Sequence, residues 1–212
     1  GGVSRVKVDT GRHKKPLLIV ISAPSGGGKT TLCRKLLAEF DDIEYSISCT
    51  TRPRRGNEED GRDYYFVSEE EFDKLIEKGR FLEYAQVHGH RYGTLKETVS
   101  KSLSEGRSVL LDIDVQGARQ IRDSVKYDAA LENAMVDIFI TVDSAEDLRD
   151  RLLKRGEDRA EDMELRLKNA LEEMKSTDEF SYVVVNDQLD MAYGRLVSIL
   201  RHNWHDAGRD CW

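Results

Sequence analysis

At 212 residues the chain is long enough for one domain with a full core, and its net charge of -7 and pI near 5.4 argue against non-specific binding to nucleic acid or to an anionic membrane. No apolar run approaches the roughly 18 residues of a membrane span. Cys33, Cys49 and Cys211 are widely spaced with no CxxC pair, so the expectation is a reduced, cytoplasmic protein without disulfides or structural zinc.

The opening GGVSRVKVDTGRHKK is basic with no apolar segment behind it, and residues 1–15 are read as an extension outside the fold. Leu17–Ser22 is a continuous apolar run ending in small residues, the pattern of a strand buried on both faces. APSGGGKTT follows, and Thr30–Phe40 reads as a helix with Leu32, Leu36 and Leu37 on one side. Residues 46–93 break the rhythm with short alternating segments such as YYFV and one helix, SEEEFDKLIEKG, capped by Ser68 and Glu71. TLKETVSKSLSEG reads as a helix to Gly106, with Thr94 and Glu97 as its capping box. Ser108–Val115, Asp137–Val142 and Tyr182–Asn186 are further buried strands. SAEDLRDRLLKRG is a helix from Ser144 to Gly156, residues 151–178 are dense in charges of both signs, and LDMAYGRLVSILRHNW closes the chain. Strands alternating with helices predict an α/β fold: a doubly wound parallel sheet with helices on both faces, an inserted α+β lobe and a charged helical flap.

The glycine loop carries the first chemistry. Successive N–H groups of a tight glycine loop converge on an anion, and the helix behind adds its positive end. Lys29 is placed to reach the outer phosphates and the Thr30 hydroxyl to ligate Mg²⁺. The pattern is GxxxxGK[ST] with Ala23 in place of the first glycine. Arg52, Arg54 and Arg55 lie on a turn-prone segment of an acidic chain, and arginine forks suit phosphate oxygens. Tyr64 and Tyr92 are candidate donors to the same anion. Glu83, in FLEYAQ, is a carboxylate among apolar neighbours, able to accept the paired N1–H and N2–H₂ donors of guanine. Asp112 and Asp114 are expected on one face of one strand, at its C-terminal end. Each of these also has a plainer explanation: a solvated arginine, a half-buried tyrosine, a surface glutamate, an aspartate that caps the next turn.

Taken together, ISAPSGGGKTTL, SISCTTRPRRGNEEDGRDYYFV, FLEYAQVHGHRYGT, VLLDIDVQGA, RLLKRG…LRLKNA and VVVND resemble the guanylate kinases over essentially all of residues 17–205. The resemblance implies a core of 16–46, 95–148 and 179–207, a GMP-binding lobe of 47–94 and a lid of 149–178. It implies transfer of the γ-phosphate of ATP to GMP or dGMP with Mg²⁺, by a monomer or homodimer. On it, Ala23, Pro24, Ser25, Gly26, Gly27, Gly28, Lys29, Thr30 and Thr31 bind ATP, with Asn186 and Asp187 at the adenine edge. Ser48 and Glu83 read guanine with Thr94 and Asp114 nearby, and Arg52, Arg55, Tyr64 and Tyr92 hold the GMP phosphate. Arg155 and Arg166, with Arg151 a third candidate, close over the transferring group, and Asp112 joins Thr30 on the metal side. TTRPRRGNE departs from the family's TTRxPRxGE, so Arg54 competes with Arg55; the Arg52-to-Tyr64 spacing favours Arg55. A guanylate-kinase-like interaction module and a kinase for another base are the alternatives.

Overall fold

The structure, a computed structural model, describes residues 14–24, 26–154 and 160–205. Ser25, Arg155 and Cys211 among the residues singled out above lie outside these.

Leu17 and β1 (Leu18–Ser22) are fully buried, as an apolar strand inside a parallel sheet must be. α1 (Lys29–Glu39) follows. β2 (Ile43–Tyr45) and β7 (Ser108–Asp112) lie on one side of β1, β8 (Met135–Thr141) and β9 (Tyr182–Val185) on the other. The order is β2-β7-β1-β8-β9, with every pair parallel. Because side chains alternate along β1, Ile19 and Ile21 pack against Leu32, Leu36, Leu196 and Leu200. Leu18 and Val20 face Val99, Ala118 and Ile121. Thus α1 and α8 (Leu189–His205) cover one face, and α3 (Lys96–Ser104), α4 (Val115–Val125) and α5 (Ala129–Ala134) the other.

A second sheet is built from the middle of the chain: β4 (Tyr65–Phe66), β3 (Cys49–Thr50), β6 (His90–Leu95) and β5 (Phe81–Val87), in that order. β5 and β6 form a hairpin whose two-residue turn needs positive φ at both positions, met by His88 at 51° and Gly89 at 78°. Phe72 of α2 (Glu69–Glu77) seals this sheet against Cys49 and Phe81, and Ser68 caps α2 by accepting from the Glu71 N–H at 3.1 Å. Leu82 of β5 is buried with the α4 side of the large sheet, so the two sheets share core. The charged stretch forms α6 (Ala145–Lys154) and α7 (Ala160–Met174), which bury Leu148, Leu152 and Ala170 in a small cluster of their own.

Two local expectations fail. β7 stops at Asp112, and Asp114 leaves the strand to cap α4, accepting from the Gly117 N–H at 2.7 Å; the two aspartates do not share a strand face. The Thr94–Glu97 capping box does not form. Thr94 stays in β6 opposite Glu83, the N-cap of α3 is Leu95, and the Thr94 hydroxyl is spent elsewhere. At Asp114 a helix cap outweighs the strand pattern, and at Thr94 the pairing of β5 with β6 outweighs the helix-start signal.

Candidate active site

The loop after β1 wraps over the N-terminus of α1. Gly26 and Gly28 have φ of 83° and 85°, a region in which a Cβ strains the backbone. Gly27 closes the turn by donating to the Pro24 carbonyl at 2.9 Å. The N-cap of α1 is Gly28, with no side-chain cap and no acidic residue in the first turn. By helix geometry the N–H groups there have no carbonyl of their own helix to meet, so the site offers donors and a positive dipole end to an anion.

Lys29 pairs with Asp112, which sits at the end of the neighbouring strand because β1 and β7 run parallel with Ile21 opposite Asp112. Thr30 and Thr31 are exposed on the same first turn. Asn186, just beyond β9, is buried, and its amide donates to the Gly27 carbonyl at 2.9 Å. The Asn186 backbone carbonyl in turn accepts from the Arg151 guanidinium of α6. Its side chain therefore braces the loop instead of facing outward. Asp187 beside it is exposed and its carboxyl is held low, chiefly by the Gln188 N–H it accepts.

On the second sheet, Arg52 is buried and bonds Glu58 with both branches of its fork, at 2.9 and 2.8 Å. This pairing holds the guanidinium protonated more firmly than usual and keeps Glu58 below its ordinary range. The Tyr64 ring lies 5.0 Å from the Arg52 guanidinium and 6.0 Å from the Tyr92 ring. Arg52, Tyr64 and Tyr92 are thus brought together, with Ser48 one residue before β3, its carbonyl accepting from the Tyr65 N–H. Arg54 and Arg55 both point outward, and the Arg55 N–H donates to Glu58 at 2.8 Å. Sequence reasoning missed Glu58. Its one signal was a carboxylate six places after Arg52, inside an acidic run that reads as a solvated turn.

Glu83 accepts from the Thr94 hydroxyl at 2.8 Å. Burial pushes its carboxyl above the usual range and Asp114 adds to that, while the Thr94 hydroxyl opposes it. Glu173 of α7 is also raised, first by burial and then by Asp114, with Lys29 acting the other way. Glu83, Asp114, Glu173 and Lys29 therefore share one electrostatic neighbourhood, although they come from β5, the start of α4, α7 and the start of α1. A cavity of about 360 Å³ between α4 and α7 is lined by Asp114, Val115, Gln116, Arg119, Glu172, Glu173 and Ser176. Arg166 lies on α7.

The guanylate kinase family model matches residues 15–203. Curated guanylate kinases from Thermotoga maritima and Coxiella burnetii are 48% and 46% identical over 187 and 186 residues, in each case 88% of this chain and 87% of the relative. The crystal structure of guanylate kinase from Anaplasma phagocytophilum superposes with a TM-score of 0.65 at 32% identity, covering 92% of this chain and 89% of that one. The parallel sheet with its glycine loop at the start of α1 agrees with those matches, and the chain belongs to the guanylate kinase family of ATP-dependent nucleoside monophosphate kinases.

Proposed function

We propose that this chain transfers the γ-phosphate of ATP to GMP or dGMP, and that the residues gathered above divide the work between the two nucleotides. The observation that carries the reading is the α1 N-terminus, which has glycine at its cap, no acid in its first turn and Lys29 within it. In this reading the Gly26–Gly28 amides, Lys29, Thr30 and Thr31 receive the ATP phosphates, and Asp187 lies at the adenine edge with Asn186 bracing the loop. Arg52, Arg55, Tyr64 and Tyr92 take the GMP phosphate, and Ser48, Glu83, Thr94 and Asp114 surround guanine. Residues 47–94 act as the GMP lobe, 149–178 as the lid bringing Arg151, Arg155 and Arg166, and the remainder of 16–207 as the core.

A GMP phosphate oxygen attacks the γ-phosphorus, the bond to the bridging oxygen breaks, and ADP leaves. The attacking oxygen is already anionic, so no general base is required. The protein's part is to align the nucleotides and to neutralise charge on the equatorial oxygens with Lys29 and arginines. Among the described residues no group of three His, Cys, Asp or Glu side chains is placed to hold a metal. That suits Mg²⁺, which takes few protein oxygens beside substrate phosphates. The Thr30 hydroxyl and Asp112 carboxylate are the oxygens that would hold it, and it would supply positive charge to offset that of the outer phosphates.

A cytoplasmic setting belongs to the proposal. Burial pushes the Cys33 and Cys49 thiols up to about 12 and about 11, so both stay protonated and free. No helix of the described residues is long and apolar enough to cross a membrane.

An assay coupled to ADP release across GMP, AMP, CMP and UMP tests the reading. GMP is expected to lead by about 100-fold or more in kcat/KM, since a site built to bond a base rejects bases that leave its groups unpaired. Lys29→Ala should lower kcat by about 100-fold or more with little change in Tm, because the side chain acts on phosphate and not on the core. Release of no ADP with any nucleotide would support the interaction-module alternative instead.

A further inference from the structure

The outer edge of β5 is bonded to a helix. The Gln120 carboxamide of α4 accepts from the Tyr84 N–H and donates to the Tyr84 carbonyl, both at 3.0 Å. One turn later the Ser124 hydroxyl donates to the Leu82 carbonyl at 2.8 Å. A carboxamide presents a donor beside an acceptor, as a peptide group does, so Gln120 stands in for the missing strand.

The residues gripped, Leu82 and Tyr84, are the chain neighbours of Glu83. The β5–β6 register shifts between Phe81 and Glu83, so Leu82, which Ser124 bonds, is given no partner of its own in β6. The same helix opens on Asp114, less than two turns before Gln120. One rigid element thus carries Asp114 and holds the backbone on both sides of Glu83. Alternate residues of an edge strand turn their peptide groups outward, and the two that α4 bonds are the ones that flank Glu83.

We infer that Gln120, supported by Ser124, is a positioning residue for base recognition: it holds the Glu83 carboxylate in register with Asp114 without touching substrate. The inference rests on the reading that Glu83 pairs with guanine.

The test compares kcat/KM for GMP and for inosine monophosphate, which keeps N1–H but lacks the 2-amino group. Gln120→Ala should lower the GMP value about tenfold or more, because small misplacements of a recognition group are costly. The inosine value, with one bond to Glu83 fewer to lose, should fall less, and the KM for ATP should stay within about twofold of wild type. Gln120→Glu keeps the acceptor for Tyr84 N–H but sets an oxygen against the Tyr84 carbonyl, and should behave alike. Ser68→Ala, which loosens α2 but leaves the Gln120 and Ser124 bonds to β5 in place, should leave the GMP-to-inosine ratio unchanged and excludes general loosening of the second sheet as the cause. If Glu83→Gln collapses the ratio and both Gln120 variants preserve it, the positioning role is overturned while the base reading stands. If Glu83→Gln leaves the ratio intact, the base reading fails and takes this inference with it.

Discussion

Burial pushes the Glu83 carboxyl above its ordinary value of 4.5, and the nearby Asp114 charge adds to the push. A glutamate raised in the folded state binds a proton more tightly there than in the unfolded chain. Its deprotonation, as pH climbs from the ordinary value through the raised one, therefore lowers stability, and the loss is complete once pH is above the raised value. The charge that accepts guanine's donors thus works against the fold. Glu83→Gln should raise Tm at neutral pH and cost about 2–4 kcal/mol in kcat/KM for GMP, one hydrogen bond being lost and another weakened. Calorimetry and kinetics on one variant check both signs. Unchanged GMP kinetics would leave Glu83 a half-buried strand residue bonded to Thr94 with no part in reading the base. In the native protein kcat/KM for GMP should also fall as pH drops through the raised value, and the variant should lack that limb. Glu83 was visible in the sequence as a carboxylate among apolar neighbours. Its partner was not, because Thr94 followed three places on by Glu97 is also a helix-start signal, and only the pairing of β5 with β6 decides where the hydroxyl goes.

Strand, glycine loop and helix form the unit most fully written in local sequence, since its conformation depends on glycines where they stand. Gly28 shows why. A Cβ there would meet positive φ, a penalty of about 1–2 kcal/mol, and would run into the Asn186 amide. That amide has little room to yield, because it is fixed to the Gly27 carbonyl while the Asn186 backbone carbonyl holds Arg151. Gly28→Ala should therefore lower kcat/KM for ATP by about tenfold or more, while thermal stabilisation by GMP persists; equal damage to both nucleotides would show that the loop serves the whole cleft. Element ends where two local signals compete were read less well. LDIDV continues the alternating pattern of a strand, yet the chain leaves the sheet after Asp112 because Asp114 gains the Gly117 N–H as a cap.

At the scale of the molecule, the parallel sheet was legible from four apolar runs spaced by helical stretches, but not its strand order, which no local pattern encodes. Nor was the parallel pairing of β3 with β4, two residues long and set by contacts across the second sheet. Ligand linkage tests how that sheet reports on the whole. A phosphate that binds only the folded state adds about 2.7 kcal/mol at one hundred times its Kd, enough to raise Tm by about 5–10 °C in a chain of this size. GMP should produce that shift in wild type and in Arg54→Ala, and a smaller one at equal concentration in Arg55→Ala; the reverse order would move the phosphate contact to Arg54. The Gln120 carboxamide on β5 has a meaning beyond substrates. Bare strand edges are templates for self-association. Three of the four edge strands, β2, β4 and β9, run for three, two and four residues, too short to offer much. The seven-residue β5 is the long one, and its peptide groups beside Glu83 are already taken by α4. A second copy of the chain finds no ready place there to add a strand, so the contact that aligns the cleft also guards the protein against aggregation.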